Sequence, residues 1–176
     1  MGMLDMNITQ DMLNYYKKVI PSGRFAYFRI DDSLEGILYH PTVLYIGTRA
    51  FDNVNVGQLD LPNVQYIDEK AFYGGIVSGV NLPNLKQIGS TAFYNSSLGD
   101  VSLPKIQYID ATAFTRSGLR SITLGSDLTY IGGNAFEYNS NLTTINIYAP
   151  KSQVATAALA PWSAPSTCQV NWLGGE

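Results

Sequence analysis

Residues 46–51 read Ile-Gly-Thr-Arg-Ala-Phe, and the same pattern returns at residues 67–72, 88–93, 109–114 and 131–136. Every copy has Ile first, Gly or Asp second, two variable residues, and then Ala-Phe. The intervals between successive phenylalanines are 21, 21, 21 and 22 residues. Self-similarity at a fixed period of this length predicts a stack of equivalent structural units rather than a globule with one centre.

A strand pattern, apolar-x-x-apolar-x-apolar, precedes each copy. It occupies residues 56–61, 77–82, 98–103, 119–124 and 142–147, with a degenerate earlier copy at 34–39. Because successive side chains of a strand point to opposite faces, the last two apolar residues should point inward together. The residue between them is small and polar, as a solvated sheet face requires: Asp60, Asn81, Ser102, Thr123 and Asn146.

Proline closes most of these strands, at positions 41, 62, 83 and 104. Proline lacks a backbone donor and is tolerated only at the end of a ladder. The spacing therefore predicts at least five parallel strands in a single-domain solenoid. We expect one inward column of neighbouring residues: Leu59, Leu82, Leu103, Leu124 and Ile147.

These repeats resemble the BspA-type leucine-rich repeat family of bacteria and some protists, in which a strand, a proline and a small loop precede Ile-Gly-x-x-Ala-Phe. The resemblance covers about residues 34–147, with five matched copies. It implies a β-rich (α/β repeat), right-handed solenoid with a parallel sheet along one side. Such proteins are usually secreted and are linked to adhesion or protein binding. The resemblance implies no catalytic residues that could be assigned to positions of this chain.

The two ends lie outside the repeats and are expected to cap them. Each turn of the stack is called a rung here, and the first and last rungs would otherwise expose apolar faces. Residues 1–40 are predicted to be an N-terminal cap, with a helix over 8–20 started by Asn7 and a strand over 25–30. The five repeats then occupy residues 41–148. Residues 149–176 form a C-terminal cap, with a short helix over 152–160 and a closing strand over 169–172. An alternative is that the N-terminal helix docks a neighbouring subunit.

Composition narrows the classes of function. The net charge is -3 and the sequence contains no Lys/Arg stripe to neutralise phosphates, which argues against binding of nucleic acid. No apolar run approaches the roughly 20 residues of a membrane helix, so membrane insertion is not expected. No signal peptide is visible, because the first residues lack a basic segment followed by an apolar stretch.

Catalysis is not expected either. The chain has one histidine, His40, and one cysteine, Cys168, near opposite ends of the predicted stack. A nucleophile and its base must converge, and a zinc site needs three or four ligands. No glycine-rich phosphate loop is present, since Gly132 and Gly133 belong to the repeat. The sequence therefore predicts no enzyme, no cofactor and no metal site.

Tyrosines recur at two positions of the repeat. The residue before the motif Ile is tyrosine in four copies: Tyr45, Tyr66, Tyr108 and Tyr130. In the remaining copy it is Gln87. The residue after the motif Phe is tyrosine in two copies, Tyr73 and Tyr94. Tyrosine supplies large, rigid contact area at low entropic cost. The tyrosines are either a structural ladder that shields the rung edges or a partner-binding surface formed by Tyr66, Tyr108, Tyr130, Tyr73 and Tyr94.

Two functions fit these observations. The first is a non-enzymatic protein-binding or adhesion module, extracellular or on a cell surface, whose partner is a host surface protein. The second is a phage tail or other virion component, in which the same solenoid decorates or caps an assembly and contacts a neighbouring subunit.

Overall fold

Each repeat forms one turn of a coil, that is, one rung. A longer strand lies on one side of the rung, and a two-residue strand lies on the side that the chain reaches next. The computed structural model describes residues 7–30 and 36–175. The elements in chain order are β1 (Asn7–Ile8), α1 (Gln10–Asn14), β2 (Val19–Ile20), β3 (Arg29–Ile30), β4 (Ile37–Tyr39), β5 (Tyr45–Ile46), β6 (Gly57–Asp60), β7 (Tyr66–Ile67), β8 (Val77–Asn81), β9 (Gln87–Ile88), β10 (Gly99–Leu103), β11 (Tyr108–Ile109), β12 (Leu119–Leu124), β13 (Tyr130–Ile131), β14 (Thr144–Ile147) and β15 (Gln169–Trp172).

The strands of successive turns pair in parallel, which confirms the predicted solenoid. The short strands form one six-stranded sheet in the order β13-β11-β9-β7-β5-β2. The longer strands form a three-stranded sheet, β4-β6-β8, and a four-stranded sheet, β10-β12-β14-β15. β1 pairs with β3 near the N-terminus. Residues 34 and 35 of the degenerate strand copy, and residues 1–6 of the predicted N-terminal cap, lie outside the described residues.

The long sheet is interrupted between β8 and β10. Both strands lie at sheet edges, so Leu82 and Leu103 occupy successive turns without a described ladder between them. The Ser97 amide donates to the Val77 carbonyl at 2.9 Å, near the points where the two strands begin. Gly79 lies in the middle of β8, and a glycine there weakens a strand because it has no side chain to pack.

The predicted inward column contained one wrong residue. Leu59 pairs with Val80, not with the residue that precedes Pro83. Further along, Leu103 pairs with Leu124 and Leu124 with Ile147. Leu59 and Val80 therefore belong to a first column, and the turn that contains β6 contributes Leu61 to the second column, that of Leu82, Leu103, Leu124 and Ile147, because Asp60 pairs with Asn81 and Leu61 follows directly. Both columns face inward, since they lie two positions apart along each strand with one residue between them.

Phenylalanines form the centre of the stack. Phe51, Phe72, Phe93, Phe114 and Phe136 are each at most 1% exposed. Their ring centroids lie 5.2 to 6.0 Å apart along the column. The column continues at both ends, to Phe25 at 5.3 Å from Phe51 and to Trp162 at 6.2 Å from Phe136.

The N-terminal segment therefore contains a further rung rather than only a cap. Ile20 pairs with Ile46 in the short-strand sheet, and Phe25, five residues later, stacks on Phe51. Residues 25–30 were predicted to be a strand, but only Arg29–Ile30 is one. The remainder forms the same kind of turn that carries the phenylalanine in the other rungs. The rung lacks the Ala before Phe, which hid it from the sequence pattern.

Both predicted terminal helices were wrong in extent. α1 spans only Gln10–Asn14, and Thr9 rather than Asn7 is its N-cap, with the hydroxyl accepting from the Met12 amide at 3.3 Å. Val19 and Ile20 instead extend the short-strand sheet, where β-branched residues pack well. No helix in the described ranges is long and apolar enough to cross a membrane.

At the C-terminus, two 3-10 turns, Lys151–Gln153 and Ala157–Leu159, replace the helix predicted over 152–160. The Thr156 hydroxyl bonds to both the amide and the carbonyl of Ile131, at 3.1 and 2.7 Å. The Thr156 hydroxyl thus takes the place of a next short strand beside β13. The predicted closing strand is confirmed as β15.

Candidate functional site

The short strands set the orientation of the tyrosines that precede the motif Ile. Tyr45 pairs with Tyr66, Tyr66 with Gln87, Gln87 with Tyr108, and Tyr108 with Tyr130. Because side chains alternate along a strand, the following Ile is buried and the tyrosine faces outward, half-buried. We call Tyr45, Tyr66, Tyr108 and Tyr130 the tyrosine column.

The structure brings the predicted binding tyrosines together in two pairs. The rings of Tyr108 and Tyr130 stack with centroids 4.6 Å apart and planes 7° from parallel. The rings of Tyr73 and Tyr94 stack at 4.8 Å and 12°. All four are half-buried, as is Tyr66, which has no ring partner in the described part of the chain. We call these five residues the tyrosine flank.

Asp68 organises one end of the tyrosine column. Its Oδ2 accepts hydrogen bonds from the Tyr45 hydroxyl at 2.7 Å and the Thr48 hydroxyl at 2.8 Å. Its Oδ1 accepts from the Glu69 amide at 2.8 Å. Partial burial tends to raise the pKa of this carboxyl, but these three hydrogen bonds outweigh it and lower the pKa below the ordinary value. The hydrogen bond to Asp68, with partial burial and the carboxylate charge, raises the pKa of Tyr45.

Asp68 was missed by reasoning from sequence, although a signal was present. The second position of the motif alternates strictly along the stack: Gly47, Asp68, Gly89, Asp110 and Gly132. Asp110 repeats the local geometry of Asp68, because its Oδ1 accepts from the next amide, that of Ala111, at 2.7 Å. Desolvation and then the charge of Asp110 raise the pKa of Tyr108. Because of this alternation, every second rung of the tyrosine column carries one carboxylate.

The lowered pKa of Asp68 predicts how the stability of the fold depends on pH. A carboxyl whose pKa is lower in the folded state stabilises the fold above its unfolded pKa of about 4, and this stabilisation is lost as pH falls through the folded value. Asp68→Asn should therefore lower the melting temperature at pH 7, and the difference from wild type should shrink below about pH 4. Thermal unfolding of both proteins from pH 7 to pH 2 measures this. A difference that does not change with pH would mean that the charge of Asp68 contributes nothing.

A cleft interrupts the tyrosine column at Gln87. It has a volume of about 240 Å³, and the residues that line it come from consecutive rungs: Tyr45, Tyr66, Ile67, Asp68, Gln87, Ile88, Gly89, Tyr108 and Asp110. Tyrosines stand on the two rungs that flank Gln87, and carboxylates stand on the two rungs that flank Gly89. The sequence showed Gln87 only as an exception in a pattern, and did not reveal a cleft.

The exposed face of the long strands is less suited to contact with a partner. Its polar side chains bond to one another between rungs. Asn81 donates to Asp60 at 2.7 Å, and Asn171 donates to Asn146 at 2.9 Å. Asp100 accepts from both Arg120 and Ser121, at 2.8 and 2.9 Å. A partner at this face would meet polar side chains that already bond to one another.

His40 has a structural role. It is buried, and its Nδ1 accepts from the amides of Val43 and Thr42 at 3.1 and 3.3 Å. Nε2 must then carry the proton, and it donates to the Leu13 carbonyl at 3.0 Å, which ties α1 to the first long strand. Cys168 is half-buried, and desolvation raises the pKa of its thiol. Among the described residues, no three His, Cys, Asp or Glu side chains are grouped to hold a metal ion.

Comparison with known proteins agrees with this architecture. The family model for the BspA type leucine rich repeat region matches six copies over residues 20–161. The match begins at Ile20, where the additional N-terminal rung starts, and extends past the last predicted repeat into the C-terminal 3-10 turns. Neither the comparison with curated proteins nor that with solved structures gave a match. Repeats of this family are typically non-enzymatic scaffolds for protein interaction, and the chain belongs to the BspA-type leucine-rich repeat family.

Proposed function

We propose that this chain is the protein-binding module of an adhesive, surface-associated protein, and that the tyrosine flank contacts its partner. One observation supports this choice above the others. Tyrosine rings are stacked in pairs on rigid rungs, so each pair offers a preorganised aromatic surface. Aromatic groups dominate the energy of protein interfaces, and a side chain already held in place loses little entropy on binding.

The rungs account for this preorganisation. Tyr108 and Tyr130 lie on β11 and β13, which pair in parallel, and the next residue of each strand is a buried isoleucine. The backbone spacing of the sheet therefore sets the spacing of the rings. A partner would bury ring edges and hydroxyls without having to order them, whereas the long-strand face presents polar side chains that already bond to one another.

Replacing Tyr66, Tyr108 and Tyr130 together by Ser should weaken attachment strongly while leaving the fold largely intact. Lost stacking of one pair costs about 0.5–1.5 kcal/mol, whereas truncation of interface anchors costs about 2 kcal/mol or more each. The measurement is binding of beads that carry the chain to cultured host cells and to immobilised extracellular proteins. We expect the triple variant to lose binding at least tenfold, about 1.4 kcal/mol.

The matched control applies the same substitution to tyrosines outside the flank. Tyr15, Tyr27 and Tyr148 are 79%, 59% and 52% exposed. Replacing these three by Ser should leave binding unchanged. If the control variant loses as much as the flank variant, the flank is not the contact surface. If the chain binds no cell surface but copurifies with virus particles, the virion function is the correct one.

A further inference from the structure

We propose that the cleft at Gln87 receives an arginine side chain of the partner protein, held between the rings of Tyr66 and Tyr108 and paired with Asp110. This inference rests on the proposed binding role of the tyrosine flank and specifies the chemistry of one contact. It follows from the width of the gap in the tyrosine column, from the charge around it and from the shape of the guanidinium group.

The width of the gap matches one planar group. Tyr66 and Tyr108 both pair with Gln87, on the strands to either side of β9. Neighbouring strands lie about 4.8 Å apart, so the backbones of Tyr66 and Tyr108, two strands apart, are separated by about 9.6 Å along the stack. Tyr108 and Tyr130, which occupy adjacent rungs, stack with their ring centroids 4.6 Å apart. One flat group midway between Tyr66 and Tyr108 would therefore lie at about that stacking distance from each of them.

The cleft is negatively charged and offers an open acceptor. Asp68 and Asp110 lie on the rungs to either side of Gly89, which is the equivalent residue of its own rung and has no side chain. Asp68 uses both oxygens in hydrogen bonds within the fold. Asp110 uses Oδ1 for the Ala111 amide, while Oδ2 accepts no hydrogen bond from any described residue. Neither carboxylate is paired with a Lys or Arg in residues 7–30 or 36–175.

A guanidinium group fits these features better than other side chains. It is flat, carries its charge at every pH of interest, stacks on aromatic faces and directs several donors within its plane. A lysine ammonium cannot fill a planar gap, and a neutral amide lacks the charge to complement two carboxylates. The chain shows the same chemistry elsewhere, since the guanidinium of Arg116 lies 5.0 Å from the ring centroid of Tyr138.

A peptide titration of the intact chain followed by amide NMR tests this proposal. The probe is the capped tripeptide Gly-Arg-Gly, compared with the same peptide containing Lys or citrulline, the neutral analogue of arginine. We expect saturable shifts of the amides of Gln87, Gly89 and Tyr108 with the arginine peptide. The citrulline peptide should bind at least about tenfold more weakly because it lacks the charge.

Three variants define the site. Gln87→Tyr places in the gap the residue found at that position in the other rungs, so it should fold normally and bind the arginine peptide at least about tenfold more weakly. Asp110→Asn should weaken binding roughly threefold or more by removing the partner charge. Gln58→Tyr, the same substitution at an exposed position of β6, is the matched control and should bind as wild type does.

The outcomes are distinct from those of the proposed function. Absence of saturable shifts in wild type, equal affinity for the citrulline peptide, or undiminished binding by Gln87→Tyr would each overturn the arginine site, even if the triple tyrosine variant has lost attachment. Self-association of wild type that Gln87→Tyr abolishes would also overturn it, because the occupant would then be a second copy. Arginine binding in a chain whose triple tyrosine variant still attaches would instead contradict the flank as the principal contact surface.

Discussion

Replacing Phe93 by Ala is expected to lower the free energy of unfolding by roughly 3–5 kcal/mol. Phe93 is 1% exposed, and its ring lies 5.5 Å from that of Phe72 and 5.7 Å from that of Phe114. The substitution removes buried apolar surface and leaves a cavity that rigid rungs on both sides cannot close. Because each rung contacts only its neighbours, the loss should destabilise the stack on both sides. Denaturant-induced unfolding of wild type and variant measures the difference.

The structure changes the expectation for Phe51. From the sequence, Phe51 stands at the end of the repeats, and Phe51→Ala should then cost less than Phe93→Ala. In the structure Phe51 is fully buried between Phe25 and Phe72, at 5.3 and 5.2 Å. The two substitutions should therefore have similar costs. A loss for Phe51→Ala of less than half that for Phe93→Ala would show that the rung of Phe25 contributes little to the stack.

A surface control separates packing from a general effect of truncation. Leu159 is 58% exposed on a C-terminal 3-10 turn. Leu159→Ala should change the free energy of unfolding by no more than about 0.5 kcal/mol. If this variant were as unstable as Phe93→Ala, the measured losses would not report on the phenylalanine column.

Gly125→Ala is expected to cost about 3 kcal/mol or more, through overlap rather than through a cavity. A Cβ atom on Gly125 would overlap the carbonyl oxygen and carbon of Pro104 on the preceding rung. Gly125 is buried, and it lies in the interval of 22 residues, where the chain fits one extra residue between Leu124 and the motif Ile. The backbone passes close to its neighbour there, so a methyl group would force the rungs apart. The loss is measured by denaturant-induced unfolding.

Gly133→Ala is the matched control for that substitution. A Cβ atom on Gly133 would have no neighbour within 4 Å, and Gly133 does not have a positive φ. The variant should be neutral or slightly more stable, by up to about 1 kcal/mol, because alanine restricts the unfolded chain. Equal losses for the two glycine variants would show that contact with Pro104 is not the cause.

The sequence was least informative where residues act across rungs. Ile20 and Thr156 have partners that belong to another turn, so local helical spacing gave the wrong elements at both ends. The assignment of Leu59 to the second column failed for a similar reason, since two apolar residues per strand allow two registers and only the observed pairing distinguishes them.

By itself, the sequence determined the period, the parallel stacking and the buried columns of Ile, Ala and Phe, because a pattern repeated every 21 residues leaves one way to bury its apolar residues. Only the tertiary structure decided the extra rung of Phe25, the break between β8 and β10, the bonds of Asp68 and the cleft beside Gln87. Each depends on how side chains or backbone from turns about 20 residues apart meet, and that contact is set by the spacing of neighbouring rungs.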